Sequence, residues 1–580
     1  MPKKSKKTLE NEDAFCYNIM YNTVLCAFFI IKEQPTMDTK SLATLLFDDT
    51  LPSLESVFET YPKRALKEGE KVTRMAPSPT GFMHLGNLYA ALTSERLAHL
   101  SGGTFYLRIE DTDQKREVEG GVQAIIDGLS HFGLNFDEGA LVEGEKGNYG
   151  PYRQRQRAKI YQAFAKELVL KGMAYPCFCS EEELSEMRAR QEAEKADNLG
   201  YRGKWAKCRS LSLEEIKDKL DQKLPWVLRF RSEGSVENKF KFTDLVKGDM
   251  ELSENDMDVV ILKSDGIPTY HFAHVVDDYL MGTTHVVRGD EWIATLPIHL
   301  QLYRAVGLKA PKYMHIAPLM KMDGNTKRKL SKRKDPELAL SFYKQEGYVV
   351  NCVMVYLMTL LNSNFEEWYA QNPDKSYRDF PFSPKKMSVS GALFDLVKLD
   401  DVSKNELAKL KNVELYELLE AYTKEYDKEF YDIITAEKEK VLQILNIGRV
   451  GPKPRKDIAK LSEIKDYISY FFPALYQPEY VFPENISEED RKALILEYRE
   501  IYDENDTQDE WFQKIKDLSE RHGFTANMKE YKKNPDAYKG NVAQVSTVLR
   551  VQICGRQNTP DTYEVFKVMG NELVKARLSM

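Results

Sequence analysis

The chain has 580 residues and a net charge of −7 at pH 7, so it is long enough for several domains and carries no global basic field. Hydrophobic residues at 42% and charged residues at 30% describe a globular chain and exclude a disordered or membrane-embedded one. Its seven cysteines, odd in number and scattered, exclude a disulfide framework and point to a reducing, cytoplasmic setting.

Residues 1–36 read as a non-conforming tail. Lys3, Lys4, Lys6 and Lys7 precede an apolar run from Ala14 to Ile31. Asn18, Asn22 and Thr23 interrupt it, Glu10, Glu12 and Asp13 stand before it, and no small-residue cleavage pattern follows. A span needs about 20 mostly apolar residues. The expectation is therefore neither signal peptide nor membrane anchor, but an extra segment from a start codon assigned too early.

The stretch KVTRMAPSPTGFMHLGNLYAALTSERLAHLSGGTFYLRIEDTD, beginning at Lys71, predicts strand, loop, helix, strand. Pro77, Pro79 and Gly81 forbid regular structure. Leu88, Ala91, Leu92 and Leu97 then share a helical face, with Asn87 as the expected N-cap and Gly102 and Gly103 as the stop. His84 and Gly86 sit at the helix entrance, where unpaired N–H groups and the positive dipole end suit phosphate. No GxGxxG or Walker sequence is present, which excludes a dinucleotide site and a P-loop.

Helices are predicted over Val118–Phe132 and from Gln154, the second with Ile160, Phe164, Leu168 and Val169 on one face. Cys177, Cys179 and Cys208 follow. Strand patterns come next in WVLRFR, KFKFTDLVKGDMEL and DVVILK, then TYHFAHVVDDYLMG and THVVRGDEW. The alternation predicts that the chain leaves a nucleotide-binding sheet near residue 150 and rejoins it near Thr269. Arg288 then stands at the C-terminal end of a parallel strand, where open α/β sheets bind ligands.

Lys329 to Arg333, KLSKR, is a basic loop before Asp335 and Pro336, an expected N-cap and first helical position. From about residue 390 the patterns are helical, as in ELYELLEAYTKEY and DEWFQKIKDLSERHG, without a fixed-period repeat. Between two of these helices lies GRVGPKPRKDIAKL. Its Arg449, Lys453, Arg455, Lys456 and Lys460 read equally well as RNA-phosphate contacts and as a solvated charge run.

PSPTGFMHLGN, with RIEDTD after it, resembles the first signature of class I aminoacyl-tRNA synthetases in its glutamyl form. His84 and Gly86 match, and Asn87 stands where the motif type ends in His. KLSKR resembles the second signature. Alone, each reads as an ordinary loop; in this order and setting they support one another. The resemblance runs from about residue 37 to the end, specific at both signatures and loose in the last third.

It implies a multidomain chain: an α/β Rossmann-like catalytic domain with an α+β insertion, then an all-α anticodon-binding region of the bacterial glutamyl type. The expected divisions are a lead and first half of the Rossmann domain (37–149), an acceptor-end-binding insertion (150–268) and the second Rossmann half (269–300). A stem-contact region with the KLSKR loop (301–400) and the helical region (401–580) complete the chain.

The implied reaction is ATP-dependent activation of L-glutamate to an adenylate and its transfer to the terminal adenosine of glutamate tRNA, by a monomer with no membrane association. Mg²⁺ would accompany ATP with few protein ligands. The family's catalytic positions fall on His84, Gly86, Lys329, Ser331 and Lys332, and its ATP contacts on His84, Asn87, Trp292 and Lys332. Binding an amino acid with two carboxylates and one ammonium takes two arginines and an acid at least. Arg74, Arg288 and Glu110 match, with Ser78 and Tyr270 adding hydroxyls. Relatives that bind zinc make Cys177, Cys179, Tyr201 and Cys208 metal candidates. Their spacing fits a standard knuckle poorly, so metal-free thiols stand level with zinc or slightly ahead. An enzyme that also charges glutamine tRNA, and a catalytically idle tRNA-binding paralogue, are the alternatives.

Overall fold

The computed structural model describes residues 38–196, 198–331, 333–451 and 453–579. The tail 1–36 and Lys332 lie outside the described residues.

Two lead helices, α1 (Thr39–Leu46) and α2 (Leu54–Thr60), are followed by β1 (Val72–Met75), α3 (Leu85–His99), β2 (Thr104–Leu107), α4 (Gly121–His131), β3 (Glu138–Ala140) and β4 (Glu145–Lys146). Helix α5 (Ala158–Leu170) leads to β5 (Ala174–Cys177), β6 (Val227–Phe230), β7 (Lys239–Asp244), β8 (Gly248–Ser253) and β9 (Val260–Leu262). The chain then runs through α6 (Tyr270–Leu280), β10 (His285–Gly289), α7 (Leu296–Val306) and β11 (Lys312–Ile316).

Strands β1, β2 and β3 pair in parallel, as do β10 and β11. The two pieces meet where Thr284 N donates to Val72 O at 3.0 Å, and Arg74 Nη1 reaches Val287 O. The sheet therefore runs β4-β3-β2-β1-β10-β11, with β4 antiparallel at one edge, and its strand order reverses between β1 and β10. Ligands bind open α/β sheets outside the carboxyl ends at such a reversal.

Every residue of β1 is buried, and so is most of α3, including Thr93, Ser94, Glu95 and Arg96. The apolar stripe in the sequence is thus real but narrower than the buried surface. Burial raises the Glu95 carboxyl, yet hydrogen bonds from His99 and Arg96 outweigh it and hold the group at about 2. Gly103 is required by contact: a Cβ there would sit 2.0 Å from Lys71 O.

Strands β5, β6 and β9 form an antiparallel sheet, and β7 and β8 form a hairpin. The hairpin turns back onto the main sheet, where Leu245 N donates to Tyr313 O at 3.0 Å. The lead is bound into the same body: Arg64 forks onto Glu138 at 2.8 and 2.6 Å, and Tyr61 OH donates to Gly150 O.

After β11 come the hairpin β12 (Leu319–Asp323) and β13 (Thr326–Lys329), helix α8 (Leu340–Glu346) and a two-residue strand β14 (Ala392–Leu393) beside β12. Beyond Leu393 the described residues hold helices and no further strand. Their core, with Leu415, Val441, Ile515, Leu549 and Phe566, is a separate hydrophobic cluster from that of the catalytic sheet. Among the described residues no helix is long and apolar enough to cross a membrane.

Candidate active site

The loop after β1 delivers His84 to the start of α3. His84, not Asn87, is the N-cap: its Nδ1 accepts from Asn87 N at 3.2 Å, and Asn87 Oδ1 accepts from His84 N at 3.1 Å. The correction matters chemically. With Nδ1 accepting, a neutral imidazole carries its proton on Nε2, the nitrogen suited to donate to a phosphate. Asn87 spends its amide oxygen on this reciprocal cap. Gly86 leaves room for the ring, since a Cβ there would come within 3.1 Å of His84 Nδ1 and Cε1.

The backbone of His84 also forms an antiparallel bridge with Ala339, which follows the KLSKR loop. The two signatures, about 250 residues apart, therefore meet at one place. Lys329 ends β13, exposed, with its ammonium 3.9 Å from Glu291. Leu330 is buried and anchors the loop. Ser331 N donates to Asp335 Oδ2 at 2.7 Å, and Arg328 forks onto the same carboxylate at 2.6 and 2.8 Å. The Arg328 hydrogen bonds hold the Asp335 carboxyl well below the usual range. Asp335 thus ties down the loop instead of capping a helix. Only a 3₁₀ turn, Pro336–Leu338, follows it, without a side-chain cap bond.

Arg74 lies in the middle of buried β1. Its Nε donates to both oxygens of Asp278 at 3.2 Å, while Arg108 Nη1 reaches Asp278 from the other side at 2.6 Å. Burial raises Asp278, but the Arg108 and Arg74 guanidiniums win and hold it well below the usual carboxylate range. Arg108 continues to Glu110 at 2.9 Å, and burial nevertheless pushes the Glu110 carboxyl up. Asp277 accepts from Arg157, Gln154 and Tyr161 at 2.7 to 2.9 Å. Sequence reasoning missed Arg108, Asp277 and Asp278. The available signal was a pair of adjacent acids in the apolar run FAHVVDDYL, which folds as helix α6 and not as a strand.

Arg288 stands near the end of β10, as expected, but in different company. Its Nε donates to His315 Nε2 at 3.0 Å, its Nη1 to His299 Nδ1 at 3.1 Å and its Nη2 to Trp292 O at 3.4 Å. Tyr270 opens α6 with its ring centroid 4.5 Å from that of Trp292 and 5.8 Å from that of His274. His274 is fully buried between Tyr313 and Asp278. Ser78 is exposed on the loop beside Glu110, whose N–H donates to Pro77 O at 3.0 Å. A cavity of about 570 Å³ passes from Phe82 and His84 along α4 to His131 and Lys344. It touches neither Arg74 nor Arg288.

Cys177, Cys179 and Cys208 converge with all sulfurs within 4.8 Å of one another. Cys179 Sγ is 3.6 Å from Cys208 Sγ and 3.4 Å from the Tyr201 hydroxyl. Tetrahedral zinc with Zn–S of about 2.3 Å places its sulfurs somewhat under 4 Å apart, so the residues present fit that ion. Within the cluster the hydrogen bonds among the three thiols lower Cys177 and raise Cys179. Folding supplies what the irregular spacing concealed.

The basic loop 448–460 is largely committed to structure. Arg449 is buried on Leu407 O, Arg455 pairs with Asp457, and Lys460 pairs with Glu346. Lys453 and Lys456 remain exposed.

Residues 70–370 match the model described as the catalytic domain of class I tRNA synthetases (E and Q), and residues 414–580 match an anticodon-binding domain. The chain is 54% identical over 544 residues to a glutamate–tRNA ligase of Acetivibrio thermocellus, covering 93% of this chain and 99% of that one. It is 49% identical to a glutamate–tRNA ligase of Clostridium perfringens, covering 93% and 100% of the two chains. A crystal structure of a glutamate tRNA ligase from Elizabethkingia meningosepticum in complex with its amino acid superposes with a TM-score of 0.69. It is 27% identical, with 88% of this chain and 98% of that one covered. The chain therefore belongs to the glutamate–tRNA ligase family of class I aminoacyl-tRNA synthetases.

Proposed function

We propose that this chain activates L-glutamate with ATP and transfers it to the terminal adenosine of glutamate tRNA, acting as a cytoplasmic monomer. The observation that carries the site assignment is the placement of Arg74 and Arg288 on adjacent strands at the reversal of the sheet, next to the His84-capped helix. Arg74 and Arg288 receive the two carboxylates of glutamate, Glu110 its ammonium, and Tyr270 and Ser78 donate hydroxyl hydrogen bonds. Trp292 flanks the adenine. Attack by the glutamate carboxylate on the α-phosphate builds charge on the phosphate oxygens and the departing pyrophosphate. His84, through Nε2–H, and Lys329 and Lys332, from the loop held by Asp335, neutralise that charge. Mg²⁺ accompanying ATP would supply further neutralisation of the triphosphate. The 2′-hydroxyl of the terminal adenosine then accepts the glutamyl group.

Cys177, Cys179, Cys208 and Tyr201 are the set that would hold zinc in the insertion, where the ion would supply a structural cross-link. The test of the overall reading is charging of purified glutamate and glutamine tRNAs with labelled glutamate. ATP-dependent charging of glutamate tRNA supports it. Equal charging of glutamine tRNA identifies an enzyme that does not discriminate between them, and no charging of either identifies an idle paralogue.

A further inference from the structure

Buried arginines in this molecule are balanced by carboxylates almost throughout the catalytic sheet. Arg74 and Arg108 share Asp278, and Arg157 pairs with Asp277. Arg288 is 6% exposed, yet among the described residues no carboxylate oxygen pairs with it. Its Nε and Nη1 go to His315 and His299, and its guanidinium carbon lies 4.8 Å from the centroid of the Tyr313 ring.

Arginine only donates, so both histidine nitrogens facing it must be unprotonated acceptors. Each ring then carries its proton on the far side. His315 donates from Nδ1 to Asp244 Oδ2 at 2.7 Å, and His299 donates from Nε2 to His271 Nδ1 at 3.0 Å. One charged side chain sets every donor and acceptor from Asp244 on β7 to His271 on α6. Burial agrees with this neutral chain, lowering His271 to about 4, His299 well below its ordinary value, and His315 as well.

We propose that His315 and His299 are positioning residues that fix the Arg288 fork with neutral acceptors, leaving its charge for the substrate carboxylate. A carboxylate in either place would hold the guanidinium as firmly, but would neutralise it and compete with the ligand. Imidazole holds without neutralising. Of the five N–H groups of the guanidinium, the histidines and Trp292 O engage three, and the rest, with the Tyr270 hydroxyl against the guanidinium, are left for the substrate carboxylate. The Asp244–His315 bond sets the tautomer from the β7–β8 hairpin, and His271 does so for His299 from α6. This inference rests on the reading of Arg288 as a glutamate contact.

The test is glutamate-dependent pyrophosphate exchange by the full chain with cognate tRNA present, comparing apolar and acceptor-bearing replacements. His315→Leu and His299→Leu remove the acceptors. His315→Gln places Oε1 near the former Nε2, and His299→Asn places Oδ1 near the former Nδ1. The Leu variants should raise the glutamate KM roughly tenfold, the size of one or two lost charge-assisted hydrogen bonds, with the ATP KM within about twofold. The Gln and Asn variants should recover most of the loss. If a Leu variant does not fold, His315→Asn, polar but too short to reach, takes its place and should show the same contrast with His315→Gln. Unchanged glutamate KM in the acceptor-free variants, with a raised KM in Arg288→Gln, overturns the positioning role and leaves the Arg288 reading standing. An unchanged glutamate KM in Arg288→Gln overturns that reading itself.

Discussion

The carboxyl ends of β1 and β10 hold their arginines by opposite means. Beside β1, Arg74 and Arg108 share Asp278, and Arg157 lies on Asp277. Beside β10, Arg288 lies between His315 and His299. A buried charge must be paired or hydrogen-bonded, and both solutions satisfy that demand. They differ in what is left over. The acid-balanced side is a structural lattice in which each cation has an anion, whereas the histidine-held side keeps one unit of positive charge in reserve. Two adjacent strand ends thus hold buried cations differently, the first with acids that share their charge and the second with neutral acceptors.

The comparison breaks most severely at Asp278. Asp278→Asn leaves Arg74 and Arg108 facing a neutral amide, and stranding buried charges in this way costs about 3–5 kcal/mol. Urea unfolding should show that loss near neutral pH. The effect should shrink in acid, because a carboxyl held below its usual range contributes stability above the unfolded value near 3.8 and loses it as pH falls further. An Asn variant as stable as the parent would show that the lattice does not support the fold.

Lys329 represents a third kind of cation, exposed at the end of β13. Lys329→Ala and Lys332→Ala should each lower kcat for charging by roughly 10- to 100-fold while leaving the glutamate KM within about twofold. A change confined to the glutamate KM would place them in the amino-acid pocket instead.

The thiol cluster brings three sulfurs and the Tyr201 hydroxyl together away from both arginine sites. Elemental analysis of the protein purified without chelator should give close to one zinc per chain, lost in Cys208→Ser, with Tyr201→Phe weakening retention less. Metal-free protein with three titratable thiols in this cluster would restore the metal-free alternative. The smallest effect belongs to the exposed pair in the basic loop. Replacing Lys453 and Lys456 together by Ala should raise the KM for tRNA only a few-fold, and more at low salt than at high.

The family and the fold were legible before folding, because His84, Gly86 and KLSKR are short, ordered and chemically odd enough to stand out. The partners of the candidate site residues were not legible, because their pairing depends on distance in space alone: Arg74 meets Asp278 across 204 positions, and Asp244 meets His315 across 71. Asn87 was misread as the cap because Asn outranks His in cap preference, yet the capping box places it three residues later. Asp335 was misread because Asp-Pro is a strong helix opening, and Arg328 claimed its carboxylate first. The basic loop at 448–460 looked uniform in sequence, while Arg449, Arg455 and Lys460 had acceptors waiting in the fold.

The central claim is that the Arg288 charge is reserved for glutamate while that of Arg74 is shared with the fold. Glutamine offers one acceptor oxygen and turns an NH₂ donor toward a donor, so the unneutralised fork should favour glutamate by roughly ten- to a few hundred-fold. The decisive measurement is tRNA-supported pyrophosphate exchange with glutamate and with glutamine, run beside urea unfolding, for Arg288→Gln and Arg74→Gln. Arg288→Gln should lose about 100-fold or more in glutamate activation and narrow the preference, with stability within about 1 kcal/mol of the parent because no buried anion is stranded. Arg74→Gln should lose both activity and about 1–3 kcal/mol of stability, since Asp278 is left with one cation fewer. Near-parental rates and discrimination in Arg288→Gln, or equal destabilisation by the two substitutions, would contradict the account.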